Sequence, residues 1–217
     1  MNKLADYVVV FDLDDTLYKE IDYVRSGRRH VYDLIAGIEE KMPVQTLLEY
    51  SLEEDVWAIL GEAMSLPEPV QESMLWAHRL HVPDIVLDAR VAECIAILQV
   101  RAKALAVLTD GRTLTQQLKL RALGLEHLPV YISEMWGGLK PAPARFKAIE
   151  ARWPDAKYMY VGDNPKKDFF MPNQLSWVTV GIQDDGRNIH PQHQDGLSDD
   201  YLPMHWINCM TELEGVL

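Results

Sequence analysis

Cysteine is nearly absent: Cys94 and Cys209 are the only two in 217 residues. Two distant thiols give neither a disulfide framework nor the paired spacing of a zinc site, so the chain reads as cytoplasmic, from a reducing compartment. Long hydrophobic runs are missing as well. No stretch approaches the ~20 apolar residues that a membrane helix needs. Asp6 and Asp12 interrupt the N-terminal apolar stretch, which argues against a secretory leader. Positive charge is scarce: 21 Lys and Arg stand against 33 Asp and Glu, for a formal net charge of −12. That balance argues against a general nucleic-acid or anionic-membrane surface. An anionic ligand would need a metal or a few placed basic residues. Internal repeats and low-complexity tracts are also lacking. Hydrophobic residues at 48% and charged residues at 25% are ordinary for one sizeable globular core, with or without a small second domain.

What the chain does have is a set of short, continuous apolar runs. Residues 8–11, Val-Val-Val-Phe, are followed by 104–108, 130–132, 158–161 and 177–180. Runs of this length, rich in β-branched and aromatic residues, suit strands covered on both faces, as in a parallel sheet. Helical patterns lie between the later ones. Val91, Ala92, Ile95, Ile97 and Leu98 mark 89–100; Leu114, Leu118 and Leu123 mark 114–123, with Gly124 as a stop signal; 141–153 opens on prolines and continues as a helix. The alternation predicts an α/β fold, a doubly wound Rossmann-like parallel sheet.

Residues 19–87 break the alternation. Ile21, Val24, Val31, Leu34, Ile35 and Ile38 recur at helical spacing, and Leu47, Leu48, Val56, Ile59, Leu60 and Met64 continue it. This stretch reads as an all-helical cap inserted after the first strand, with 1–18 and 88–217 forming the core. Beyond Gly181, residues 183–200 read as a long polar loop and 207–217 as a closing helix.

The polar residues that end each run carry the chemistry. Asp12 and Asp14 follow the first run, Thr109-Asp110-Gly111 the second, Lys140 the third, and Asp163 to Asp168 the fourth. In an open parallel sheet the carboxyl ends of the strands form the ligand crevice, so all four groups are expected to converge. A strand ending in Asp-x-Asp is by itself a weak signal, since such acids also cap helices and turns. Four such elements in this order are a strong one.

With these residues in place the chain resembles the haloacid dehalogenase superfamily, in its phosphatase-like branch. Asp12-Leu13-Asp14-Asp15-Thr16 resembles its first signature, Thr109 the second-motif hydroxyl, Lys140 the third-motif lysine, and Asp163 with Asp168 the acidic fourth motif. The helical insertion resembles the cap of one branch, and the short span from Thr109 to Lys140 leaves little room for a large cap there. The resemblance implies an Mg²⁺-dependent phosphomonoesterase acting through an aspartyl-phosphate on a small phosphorylated metabolite, such as a sugar phosphate or nucleoside monophosphate. Asp12 would attack phosphorus. Asp12, the backbone carbonyl of Asp14 and Asp163 would supply hard oxygen ligands to Mg²⁺. Lys140, Thr109 and backbone N–H groups near Leu13, Asp14, Asp110 and Gly111 would hold the phosphoryl oxygens. Asp14 would protonate the leaving alcohol and then deprotonate water. Thr16 is expected to bond the loop that holds Asp14, and Asp168 to orient Lys140 or a metal-bound water.

Arg25, Arg28 and Arg29 share one face of the first cap helix. They are set to meet a second anionic group on the substrate or, equally, to form a solvated face. Tyr18 and Tyr23 are placed to line the cleft or pack at its hinge. His190 and His193 with Asp195 and Asp199 form at most a weak second metal site.

Four rivals remain. A dehalogenase needs neither Asp14 nor a metal acid such as Asp163, and a phosphonate-cleaving relative would use a cap lysine where this chain has arginines, with Lys41 further on. A phosphomutase shares the whole core. A non-catalytic phosphate-binding regulator would not need Asp14. The oligomeric state is left open.

Overall fold

The structure, a computed structural model, describes residues 3–36, 56–63 and 65–216. Ile38, Lys41, Leu47, Leu48 and Met64 of the expected insertion lie outside the described residues. Six strands form one all-parallel sheet: β1 (Tyr7–Phe11), β2 (Ala104–Thr109), β3 (Val130–Ile132), β4 (Lys157–Gly162), β5 (Val178–Ile182) and β6 (His205–Ile207). Their spatial order is β3-β2-β1-β4-β5-β6. The chain order reverses between β1 and β4, so the crevice at the carboxyl ends of these two strands is the switch point of the sheet.

Strand β1 explains its own composition. Val8 pairs with Ala104 on one side and Tyr158 on the other, and the register runs on to Phe11 opposite Val107 and Val161. All four residues from Val8 to Phe11 are fully buried. Val9 and Phe11 enter the larger apolar cluster, with Ile95, Leu98 and Leu120. Val8 and Val10 enter the opposite one, with Phe146, Ile149, Tyr160 and Trp177. A strand covered on both faces has no solvent side, which is why the run does not alternate.

The helices follow the sequence closely. After β1 come α1 (Glu20–Ala36), α2 (Val56–Ala63) and α3 (Glu68–Leu80). The core resumes with α4 (Ala89–Arg101), whose N-terminus is capped by Asp88 Oδ1 accepting the Arg90 N–H at 2.9 Å. Next is α5 (Thr113–Ala122), which ends at Gly124 in the left-handed region, φ 70°. A short α6 (Ser133–Trp136) follows β3. Helix α7 is Ala144–Arg152, so it starts later than expected: Pro141 and Pro143 belong to the turn before it. Helix α8 (Phe170–Gln174) precedes β5.

Helices α1, α2 and α3 build a cluster of their own from Val31, Val56, Trp57, Leu60 and Met74. Gly27 lets α1 approach α3 closely, because a Cβ there would lie 2.4 Å from His78 Nδ1. The chain leaving α3 is tied back to α1 by Ser26, whose hydroxyl meets His81 Nε2 at 2.9 Å and accepts the Asp84 N–H at 2.8 Å.

The expected closing helix is corrected. Ile207 ends the sixth strand, and Met210–Gly215 forms only a 3-10 turn. Three residues of strand at a sheet edge are too short to show a period. Among the described residues no helix is long and apolar enough to cross a membrane.

The cluster beneath the sheet is centred on Phe146, fully buried, with Tyr160 at 5.6 Å and Trp177 at 5.7 Å between ring centroids. Phe146→Ala leaves a cavity that these rings cannot fill. It is expected to destabilise the fold by about 3–5 kcal/mol in urea titrations, with the slope unchanged.

Candidate active site

The end of β1 turns sharply because of Asp15, which adopts φ 55°. Its carboxylate repays that unfavourable backbone. Oδ1 accepts the Glu20 N–H at 2.9 Å, starting α1, and Oδ2 accepts the Ile189 N–H at 2.9 Å, anchoring the loop after β5. Asp12 stays in line with the sheet, its N–H donating to the Val161 carbonyl at 2.8 Å. Asp14 projects from the turn on the other side of Leu13, whose side chain is fully buried. The Thr16 hydroxyl oxygen is buried without a hydrogen-bond partner among the described residues. The bond expected from Thr16 to this loop is therefore absent, and Asp15 holds the loop instead.

Lys140 is the centre of the acid cluster. Its Nζ lies 2.7 Å from Asp12 Oδ1 and 2.6 Å from Asp168 Oδ1. Burial works against its charge, but Asp12 and Asp168 hold its pKa well above the usual value. Its backbone N–H donates to the carboxylate of Asp110, 3.1 Å from both oxygens. Asp110 is in turn paired with buried Arg145, which also donates to the Thr109 carbonyl at 2.7 Å. Asp110 thus ties the end of β2 to the Lys140 turn and to α7 through its side chain.

Asp168 has no exposure and no spare oxygen. Oδ2 accepts the N–H groups of Asp163 at 3.1 Å and Asn164 at 2.8 Å, while Oδ1 takes Lys140 and the Tyr160 hydroxyl at 3.2 Å. Gly162 makes room for it: a Cβ there would lie 2.6 Å from Asp168 Oδ2. Asp163 accepts the Asn188 amide at 3.1 Å on Oδ2. Oxygens of Asp12, Asp163 and Asp168 all lie within 4.8 Å of one another. Burial, then the neighbouring acids, pushes Asp163 up to about 9. Burial also raises Asp12, to about 7, with Lys140 opposing and Asp168 adding to the shift. Three carboxylates around one ammonium leave uncompensated negative charge, and a divalent cation held by Asp12 and Asp163 fits that deficit.

Asp14 has different surroundings. Lys119 Nζ is 2.7 Å from Oδ1, Gln116 Nε2 is 2.8 Å from Oδ2, and the Tyr18 hydroxyl donates to Oδ1. Burial works to raise its pKa, but Lys119, Tyr18 and Gln116 outweigh burial and hold it below the usual carboxylate value. Lys119 is itself buried, with its ammonium 4.2 Å from the Tyr23 ring centroid. Gln116 also donates to Thr109 Oγ1 at 2.9 Å and to the Asp110 carbonyl at 2.7 Å. Glu20, 3.8 Å from Lys119, is raised to about 8 by burial and by Asp14.

Two adjoining cavities meet at Asp14, Glu20 and Asp110. The smaller, about 120 Å³, is bordered by Asp12, Asp14, Thr109, Lys140 and Asp163, which arrive from the ends of β1, β2 and β4 and from the turn after α6. The larger, about 420 Å³, lies between α1–α3 and α5 and is walled by Tyr23, Arg28, Trp57, Arg79 and Arg112 among others.

The three arginines of α1 separate. Arg28 is 4% exposed and lines the larger cavity. Arg25 and Arg29 are exposed and line neither, and Arg25 stands 3.9 Å from Asp22. Gly111, at φ 142°, borders the larger cavity, but its N–H is given to Ser133 Oγ at 2.9 Å rather than left for a ligand. His190 borders the smaller cavity, whereas His193, Asp195 and Asp199 are simply exposed. Among the described residues the one carboxylate, His or Cys grouping placed for a metal is Asp12, Asp163 and Asp168.

Sequence reasoning missed Gln116, Lys119 and Asn188. A signal for the first two existed. A Gln and a Lys three apart, inside a leucine-bearing helix, sit on one face. The leucine stripe misled: Leu114 is 60% exposed, while Gln116 and Lys119 are buried.

The chain belongs to the haloacid dehalogenase-like hydrolase family, whose model matches residues 8–174. Among curated proteins it is similar to glyceraldehyde 3-phosphate phosphatases of two organisms. The one from Methanocaldococcus jannaschii is 29% identical, with 96% of each chain covered. The one from Methanopyrus kandleri is 27% identical, over 88% of this chain and 90% of that one. Among solved structures, a HAD-hydrolase from Bacillus subtilis bound to magnesium superposes with a TM-score of 0.68 at 18% identity, over 98% of this chain and 99% of that one.

The raised acids make stability depend on pH. Asp12 and Asp163 hold protons more tightly folded than unfolded, so their contribution is full below the unfolded value of 3.8 and is lost as pH rises through about 7 and about 9. Asp14 acts in the opposite sense, but only under acid conditions. Urea unfolding in chelator is expected to show stability falling from about pH 5 to about pH 9. A rise across that window would contradict the charge assignment.

Proposed function

We propose that this hydrolase, a phosphoric monoester phosphatase, uses Asp12 as nucleophile and Asp14 as acid and base on a small sugar phosphate. One observation carries the reading: Asp12, Asp14, Thr109, Lys140 and Asp163, from three strand ends and the turn after α6, border one cavity of about 120 Å³. The names of the curated relatives support a phosphorylated sugar as substrate.

Asp12 attacks phosphorus and the ester oxygen leaves, giving an aspartyl-phosphate on Asp12. Protonated Asp14 gives its proton to the departing alkoxide, which leaves as an alcohol. Water then enters, loses a proton to Asp14 and attacks the same phosphorus, so that phosphate departs and the Asp12 carboxylate is restored. Lys140 and the Thr109 hydroxyl hold the phosphoryl oxygens, and Asp168 keeps Lys140 in place. Asp12, Asp163 and the backbone carbonyl of Asp14 would hold Mg²⁺. When bound, it supplies positive charge against the phosphoryl oxygens and against the crowded acids. The pKa values of Asp12 and Asp163, raised by burial and by neighbouring acids, support a cation at that place.

Residues 1–18 and 88–217 form the catalytic core in this reading, and 19–87 form a cap over it. Hinges near residues 18–19 and 87–88 admit substrate and exclude water when the cap closes. The separate cluster of α1, α2 and α3 supports a cap that moves as one piece. The larger cavity receives the sugar, with Arg28 in its wall; Arg25 takes no part.

The test is phosphate release from glyceraldehyde 3-phosphate and a panel of phosphorylated metabolites with Mg²⁺. Asp12→Asn is expected to lower turnover by at least about 10⁴-fold. Folded wild type that releases no phosphate across the panel sinks the reading, and isomerised sugar without free phosphate makes the protein a mutase.

Asp14 must take up a proton to act as an acid, and Lys119 opposes that uptake. Lys119→Gln is expected to raise the Asp14 pKa and move the alkaline limb of the kcat–pH profile upward. An unmoved limb would mean that Asp14 is not the acid.

A further inference from the structure

The polar loop after β5 is a fastened strap. The Asp184 carboxylate accepts the N–H groups of Gly186 at 2.8 Å, Arg187 at 3.0 Å and Asn188 at 2.9 Å, which fixes a tight turn. From that turn the strap reaches three places. Ile189 N–H bonds Asp15 of the nucleophile loop. Arg187 forks onto both oxygens of Asp22 in α1, at 2.7 and 2.8 Å. The Asn188 amide reaches the acid cluster, donating from Nδ2 to Asp163 Oδ2 at 3.1 Å. Gln192 Nε2 holds the Asp163 carbonyl from behind at 2.7 Å.

The other end of the Asn188 amide decides its orientation. Oδ1 accepts Lys19 Nζ at 2.7 Å, and Lys19 also pairs with Asp185 at 2.9 Å. An ammonium only donates and a carboxylate only accepts. Between Lys19 and Asp163, the amide has one favourable setting, oxygen toward Lys19 and nitrogen toward Asp163. Without Lys19 one of the two contacts that select this setting is gone, and the amide is held against Asp163 from one end only.

The geometry points to Lys19 and Asn188 as positioning residues for Asp163. Lys19 orients the Asn188 amide, and the amide holds the Asp163 carboxylate in the setting that binds a divalent cation. Lys19 lies between the nucleophile loop and α1, where the chain leaves the core. Cation affinity is thereby linked to the placement of α1, since Lys19 and Asp22 both carry the strap. This inference rests on the metal reading of Asp12 and Asp163 given above.

The test is Mg²⁺ and Mn²⁺ binding by calorimetry on the full chain without substrate, with thermal melts to verify folding. Outer hydrogen bonds to metal ligands typically change affinity ~10–100-fold. Asn188→Ala is expected to weaken binding by about 10-fold, and Lys19→Met to do nearly the same without touching Asp163. In the double variant the two losses are expected not to multiply, because both act through one amide. Lys19→Met, partly exposed, keeps the test open if Asn188→Ala does not fold. Wild-type affinity in folded Lys19→Met, or losses that multiply, overturns the inference and leaves the phosphatase reading standing. A wild type that binds neither ion overturns both.

Discussion

A single ammonium, Lys140, sits between the carboxylates of Asp12 and Asp168, and the neighbouring strand ends are arranged around it. Removing one partner from a buried ion pair typically costs about 3–5 kcal/mol, because the remaining charge loses both water and counter-charge. The surrounding structure therefore fixes each partner in place. Asp110 grips the Lys140 backbone, Arg145 grips Asp110, and Gly162 leaves space for Asp168 against β4. Asp168 also takes two backbone N–H groups from the Asp163 turn, so the lysine, the strand that leads into Asp12 and the turn after β4 are one electrostatic unit.

The same constraint separates two acids only two residues apart. Asp12 lies among other carboxylates and is pushed up, whereas Asp14 lies against Lys119 and is held down. Neither environment comes from β1 itself. Burial beside Asp163 and Asp168 comes from β4 and the turn after it, and the counter-charge for Asp14 comes from the face of α5. An Asp-x-Asp pair gains unequal chemistry when strand pairing places β1 between β2 and β4.

How much of this was legible in the sequence depends on how local the signal is. The apolar run of β1 gave its burial, its parallel pairing and the position of Asp12, because a strand covered on both faces must be continuous in sequence. The convergence of Thr109, Lys140 and Asp163 followed from strand order alone. The inward face of α5 was not legible. Its leucines set the expected stripe, yet the face toward the acids carries Gln116 and Lys119, whose burial is favourable only because Asp14 awaits them. Equal spacing on α1 likewise could not tell Arg28, buried at the cavity, from exposed Arg25 and Arg29. The strap was hidden for another reason. A polar loop of Asp, Asn and Gln looks the same in sequence whether solvated or fastened, and its partners Asp15, Lys19 and Asp163 are distant along the chain.

In the proposed reading the two cavities divide reaction from recognition by the rigidity of their walls. At the smaller one Asp12, Asp14, Asp110 and Asp163 stand just beyond the ends of strands paired in the sheet, and Lys140 stands in a turn whose backbone Asp110 holds. The larger cavity takes about half of its wall from α1, α2 and α3; Val31, Val56, Trp57, Leu60 and Met74 of these helices form a cluster of their own, while Tyr23 of α1 packs into the cluster that holds β1. Val56 and Trp57 of α2, in that wall, stand outside the clusters that hold β1 and β4. A chain built this way holds Asp12, Asp14, Thr109, Lys140 and Asp163 under one sheet register, while the part of the neighbouring cavity lined by Trp57 and Arg79 belongs to other elements. The fold thus constrains the bond to be broken far more tightly than it constrains the molecule that carries that bond.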